Sequence, residues 1–214
     1  ASRQDKIAAC RQLAIMGGKD SIAPLAALLG SAELSHNARY ALEPNPDPAV
    51  DAAFREALGK VRGLPLVGVI GSIGVRRDAQ AVGTLAKFLG DSDVVVARAA
   101  ARALGQIGTA EAAKALQTAL PQAPAAVKLD FCEGLFRCAE ALAAADQKEQ
   151  AVAIYDELLQ LDAAHQVRGG ALRGAILTRD RGGQKLLRQH LRSDDYILFS
   201  AAVQTAQDLP GDRV

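Results

Sequence analysis

A repeat of about 31 residues is the feature of this chain that most limits its fold. Four successive segments each contain the apolar end of one helix, a break, and a second amphipathic stretch that closes on a leucine. These closing leucines are Leu29, Leu58, Leu89 and Leu120, spaced 29, 31 and 31 residues apart. Two looser copies close on Leu159 and Leu191, at spacings of 39 and 32 residues. A period in this range indicates a solenoid, in which stacked helical units share one core.

Each unit reads as two antiparallel helices. In the fourth unit, apolar residues between 97 and 107 recur at the i, i+3, i+4, i+7 spacing of a buried helix face, and a second such face follows Gly108. We expect Gly74 and Gly108 to take the left-handed conformation that ends a first helix. Alanine and leucine supply 44 and 27 of the 214 residues, a composition that suits closely packed helices.

Composition and charge exclude several other classes. The chain contains 5 Phe, 3 Tyr and no Trp, too few aromatic residues for a typical all-β fold. Half of its residues are hydrophobic, which is too many for a disordered chain. The net charge of +1 gives no chain-wide field that would attract nucleic acid or a membrane surface. The longest uncharged run, residues 63–75, is too short to cross a bilayer, so we expect no membrane span.

Two stretches of sequence carry a resemblance to a known family. The stretch VVVARAAARALGQIGTAEAAKALQTAL, residues 94–120, resembles a HEAT repeat of the short, alanine-rich bacterial type that is shared with phycobilisome lyases. ARYALEPNPDPAVDAAFREAL and SIGVRRDAQAV are similar to HEAT segments of large multidomain bacterial proteins. The resemblance implies an all-α, right-handed superhelical α-solenoid of about five to six helical hairpins, a HEAT-like, ARM-type α-α superhelix. It also implies that the second helices line the concave surface.

The rhythm of the repeat changes after residue 120. PQAPAA, residues 121–126, is typical of a loop, and the longer unit that follows contains AEALAAADQKEQAVAIYDELLQLD, which resembles a tetratricopeptide-type helical hairpin. Stacked helix pairs underlie both repeat types. We therefore predict HEAT-like repeats over residues 1–120, and degenerate HEAT- or tetratricopeptide-like hairpins over residues 121–214 that continue the same solenoid.

The sequence contains no motif that predicts catalysis, a metal or a cofactor. His36, His165 and His190 are far apart, none belongs to a His-Glu pair, and neither HExxH nor CxxC occurs. We expect the three cysteines to be buried structural thiols. Arg98 and Arg102, spaced i, i+4 on a first helix, are interpreted as contacts between neighbouring units rather than as a site. We therefore predict that the protein is not an enzyme and needs no cofactor.

Charge is distributed unevenly along the second half of the chain. Residues 130–162 carry eight acids and two bases, whereas residues 165–192 carry seven bases and one acid. Lys185, Arg188 and Arg192 follow the i, i+3, i+7 spacing of one helix face. This segment is either a patch for an anionic partner or a solvated face that the acidic unit partly neutralises. Nucleic acid is the less favoured partner, because few aromatic residues are present to stack on bases.

The most favoured function is a non-catalytic protein–protein interaction or scaffold module, as part of a larger multidomain protein. Its partner would be another protein or another domain of the same polypeptide, bound by a rigid surface built from one helix per unit. Two alternatives are a subunit of a HEAT-type bilin lyase, which would need a tetrapyrrole, and nucleic-acid binding through the basic C-terminal face. The predicted partner-binding residues are Arg55, Lys87, Lys114, Gln117, Lys185, Arg188 and Arg192.

Overall fold

The structure is a computed structural model that describes residues 2–179 and 181–209. Within these two ranges the chain forms α-helices joined by short turns and single turns of 3-10 helix, and it contains no β-strand. The prediction of an all-α protein is therefore confirmed. The helices are α1 (Arg3–Met16), α2 (Ile22–Ala26), α3 (Ser35–Leu42), α4 (Ala49–Lys60), α5 (Gly63–Arg76), α6 (Val82–Phe88), α7 (Val94–Ile107), α8 (Ala110–Ala119), α9 (Ala125–Ala144), α10 (Lys148–Gln160), α11 (His165–Thr178), α12 (Arg181–His190) and α13 (Tyr196–Asp208).

The helices stack in two layers. The odd-numbered helices form an unbroken first layer, in which α1 packs on α3, α3 on α5, α5 on α7, α7 on α9, α9 on α11 and α11 on α13. Each even-numbered helix pairs with the first-layer helix before it or after it. The described part of the chain therefore contains six hairpins, α1–α2 to α11–α12, followed by α13. This arrangement is an α-solenoid and confirms the predicted number of hairpins.

Contacts within the second layer are less regular. Helix α2 packs on α4 and α6 packs on α8, whereas α4 and α6, like α8 and α10, approach each other less closely. Polar side chains bridge these two wider gaps. Arg55 on α4 forms an ion pair with Asp78 in front of α6, and Gln117 on α8 donates a hydrogen bond to Glu157 on α10.

The closing leucines mark the core. The four leucines of the regular units are buried, and the two that close the looser copies are half-buried. One continuous core runs from Cys10 to Ala175, and a second, smaller cluster joins α11, α12 and α13. Helix α9 packs on both α7 and α8 across residues 120 and 121, which supports the proposal that both predicted segments form one solenoid.

The two predicted helix-ending glycines differ. Gly108 ends α7 with φ of 72° and is followed by Thr109, whose hydroxyl caps α8, as expected. The prediction for Gly74 was wrong, because Gly74 lies inside α5 and Arg77 takes the left-handed conformation with φ of 54°. Gly74 instead allows close packing, since a Cβ atom there would lie 2.8 Å from the Cα atom of Ala103 on α7.

The fifth hairpin explains the 39-residue spacing. Its first helix, α9, has 20 residues, whereas α7 and α11 have 14 each. Its second helix, α10, has 13 residues, against 10 in α8. Even so, no helix in the described part of the chain has the length and hydrophobicity needed to cross a membrane.

Candidate protein-binding surface

Arginines on the first layer tie neighbouring units together. Arg98 Nε donates to Asp130 Oδ2 at 2.8 Å, and Arg102 Nη2 lies 3.1 Å from Asp130 Oδ1. Both arginines lie on α7, and Asp130 is a buried residue of α9. The interpretation of Arg98 and Arg102 as contacts between units is therefore confirmed.

Two further arginines join the end of a first helix to the preceding second helix. Arg76, at the end of α5, pairs with Asp51 on α4, and its Nη1 also donates to the carbonyl oxygen of Asn45 at 2.7 Å. Arg179, after α11, pairs in the same way with Asp156 on α10. Basic residues at unit boundaries are thus occupied by acids of the solenoid itself.

Two of the seven predicted partner-binding residues belong to this internal network. Arg55 pairs with Asp78, a buried residue that also accepts a hydrogen bond from the Gln80 amide. Gln117 bonds to Glu157 across α8 and α10. Both side chains are therefore held within the protein, and they are not free for a partner while these bonds persist.

Lys87 and Lys114 are placed differently. Lys87 lies on α6 and Lys114 on α8, two second-layer helices that pack against each other. Both residues are exposed, and neither side chain forms an ion pair within the described residues. The structure thus brings these two predicted residues onto adjacent helices of the same layer.

The third predicted group is exposed too, with one correction. Lys185 and Arg188 lie on α12, but this helix ends at His190, so Arg192 lies in the turn that follows rather than on the helix face. The i, i+7 extrapolation was wrong because the helix stops one residue before Leu191. All three side chains are exposed and form no ion pair with another described residue.

Acids neutralise much of the remaining basic segment. Arg168 Nη2 lies 2.6 Å from Asp195 Oδ2, and Arg173 Nε lies 3.2 Å from Asp208 Oδ2. The hydrogen bond from Arg168 is the main cause of a lowered pKa for Asp195. With Arg179 also paired, three of the seven bases are neutralised; the Arg181 side chain and Asp180 lie outside the described residues. This pairing weakens the nucleic-acid alternative.

The cysteines are buried, as predicted. Burial raises the pKa of Cys138 to about 12, and it also raises the pKa of Cys10 and of Cys132. These thiols are therefore protonated at neutral pH, the unreactive form of the side chain. Burial lowers the pKa of His190, against the opposing charge of Asp195. Among the residues described, no His, Cys, Asp and Glu side chains gather into a group that could hold a metal ion.

The sequence reasoning missed two depressions in the surface. A groove of about 660 Å³ lies between α2 and α4 and is lined mainly by alanines, with Lys19, Glu56 and Lys60 among its polar residues. A second, apolar pocket of about 410 Å³ lies beside α9 and includes Leu129. The only sequence signal for the second pocket is the unusual 39-residue spacing, which identifies the unit but not the cavity.

The two-layer stack defines the protein as an α-solenoid. The family model described as HEAT repeats matches residues 40–136, which covers α4 to α8 together with parts of α3 and α9. This match supports a HEAT-repeat protein, in agreement with the resemblance found in the sequence. The bacterial origin and the phycobilisome-lyase type are not part of that match.

A solved structure resembles the chain in part. An engineered protein, whose crystal structure was determined by the Northeast Structural Genomics Consortium, is 21% identical over 87% of this chain, with a TM-score of 0.47. The chain spans 57% of the length of that engineered protein. No curated protein matches the sequence.

Proposed function

We propose that the protein is a non-catalytic scaffold module that binds an acidic segment of another protein, or of another domain of the same polypeptide. The observation that carries this proposal is the contrast between two sets of cations. Arginines at the unit boundaries are paired with acids of the solenoid, whereas Lys87 and Lys114 are exposed and unpaired on adjacent second-layer helices.

The geometry of the solenoid supports this proposal. A stack of helices presents one helix per unit on each face, so that a partner can contact several units at once. Lys87 and Lys114 supply two such units, and Lys185, Arg188 and Arg192 extend the exposed positive charge to the sixth hairpin. Exposed charges of one sign attract an oppositely charged partner and select against partners of the same charge.

Charge reversal tests the proposal. We expect Lys87→Glu/Lys114→Glu and Lys185→Glu/Arg188→Glu/Arg192→Glu to reduce partner binding, because each change replaces attraction by repulsion. The measurement is affinity capture from a lysate of the source with the intact chain, followed by titration calorimetry with the captured partner at two salt concentrations. Thermal stability should change little, since substitutions at exposed positions away from packed features shift stability by about 0.5 kcal/mol or less.

A matched control uses cations of the first layer. Lys6 and Arg11 are exposed on α1 and form no ion pair with a described residue, so Lys6→Glu/Arg11→Glu changes charge by the same amount on another face. Capture should persist in this control. Equal capture by the control and by both second-layer variants would show that the partner does not use these cations.

The two alternatives from the sequence stay predictions. Nucleic-acid binding through the basic C-terminal segment requires an affinity for DNA that falls steeply with salt, because phosphate contacts release counterions. A bilin-lyase subunit requires binding of a tetrapyrrole, which a shift in the absorption spectrum of an added bilin would report.

A further inference from the structure

An apolar pocket lies beside the first half of α9. Its volume is about 410 Å³, within the range of cavities of roughly 300–1,000 Å³ that accept ligands. The walls come from α9, from the end of α10 with the loop to α11, and from the turn after α8. Apolar lining residues include Leu120, Cys132, Leu161 and Val167.

The pocket occurs where the regular repeat is broken. Ala125, Lys128, Leu129 and Cys132 line it from α9 at i, i+3, i+4 and i+7, which is one face of the helix. Asp130, outside this set, is held against α7 by two arginines. The first turns of this long helix are therefore fixed to the stack while one of their faces borders the pocket.

The pocket carries an unsatisfied apolar group and two unpaired charges. Leu129 is 61% exposed, although it borders an apolar cavity. Lys128 on α9 and Asp162 in the loop before α11 both line the pocket, are exposed, and form no ion pair with another described residue. Glu157, the other acid of the pocket, already accepts a hydrogen bond from Gln117. The pocket thus combines an apolar centre with a cation on one wall and an anion on another.

We propose that this pocket binds a short segment of a partner protein that inserts one large apolar side chain beside Leu129. The segment places an acidic residue near Lys128 and a basic residue near Asp162. Such a ligand matches the charge of both walls, whereas a nucleic acid strand would meet the carboxylates of Asp162 and Glu157 with charge of the same sign. The site is separate from the cations of the second-layer surface, so this proposal does not depend on the proposed function.

A selection experiment tests the proposal and does not require the natural partner to be identified. A phage-displayed library of random twelve-residue peptides is selected on the immobilised full chain, and enriched peptides are measured by fluorescence polarisation. We expect the enriched peptides to share one large apolar residue flanked by an acid and a base. Leu129→Asp should weaken them at least tenfold, and so should replacement of the apolar residue in the peptide by alanine.

Two charge variants separate a binding role from a structural one. Lys128→Glu should reverse the preference at the acidic position of the peptide, so that a peptide with lysine there binds at least fivefold better than the selected one. Asp162→Lys lies in a loop and should reverse the preference at the basic position in the same way. Lys114→Glu on α8 is the control for the proposed second-layer surface, and it should leave peptide affinity unchanged.

Several outcomes would overturn the proposal. They are a selection without enriched peptides, enriched peptides that lack a large apolar residue, and equal affinity for the chain with Leu129→Asp. Equal binding of N-acetyl-leucine amide and of the selected peptides would also overturn it, because the flanking charges would then have no role. The melting temperature of each variant is measured alongside, and the reversal of charge preference remains a readout that a loss of stability cannot produce.

Discussion

At the scale of single residues, burial separates two ion pairs of the same chemistry on α9. Asp130 is 8% exposed and accepts from two arginines of the neighbouring first helix. Glu133, one turn further on, pairs with Arg137 on its own helix, and both side chains are about half exposed. Water screens the second pair, whereas removal of the buried carboxylate leaves two guanidinium groups without their partner.

Asp130→Ala therefore tests the contact between units. We expect it to lower the free energy of unfolding by about 2 kcal/mol, the size typical of a hydrogen bond to a charged group. Glu133→Ala is the matched control and should change this free energy by no more than about 0.5 kcal/mol. Urea unfolding followed by circular dichroism gives both values, and similar values for the two variants would contradict the assigned role of Asp130.

At the scale of elements, glycines set the distance between first-layer helices. A Cβ atom on Gly105 of α7 would lie 2.7 Å from the Cα atom of Gly134 on α9. A Cβ atom on Gly134 would in turn lie 2.8 Å from the carbonyl oxygen of Ala101. Both obstacles are backbone atoms, so the helices themselves would have to move apart. Gly71 on α5 has no such neighbour within 4 Å.

Replacement of these glycines by alanine should have opposite effects. Gly105→Ala should destabilise the protein by about 1–3 kcal/mol, because it overpacks a helix crossing. Gly71→Ala should stabilise it by about 0.5–1 kcal/mol, since alanine is the better residue in an open helix interior. Melting temperatures measured by calorimetry compare the two variants, and destabilisation by both would show that helix crossings do not decide the outcome.

At the scale of the whole molecule, the sequence predicted the stack better than the site. One buried leucine per unit is a local pattern, so the leucine spacing predicted six hairpins that the structure contains. The partners of Arg55 and Gln117 lie 23 and 40 residues away, and such pairings depend on the register between units. The pocket beside α9 likewise depends on how a long helix meets two loops, which no periodicity describes.

The division of the core predicts where unfolding begins. The main core ends at Ala175, and α12 and α13 are held mainly by the small cluster that includes Leu187 and Leu198. Because repeat proteins are stabilised by contacts between neighbours, a terminal unit with few buried residues opens first. Hydrogen exchange followed by mass spectrometry should therefore be fastest in α12 and α13 and slowest in α7 and α9. Uniform exchange over all these helices would contradict this order.

The difference between the two layers gives the solenoid a preferred direction of bending. Glycine contacts hold the first layer at a fixed spacing, so that layer acts as an inextensible spine. Between α4 and α6, and between α8 and α10, the second layer is joined by single polar bridges, which stretch at far lower cost than a packed helix crossing. The molecule therefore behaves as a leaf spring with two compliant joints, and a load applied to its ends changes curvature at Arg55 and Gln117 first.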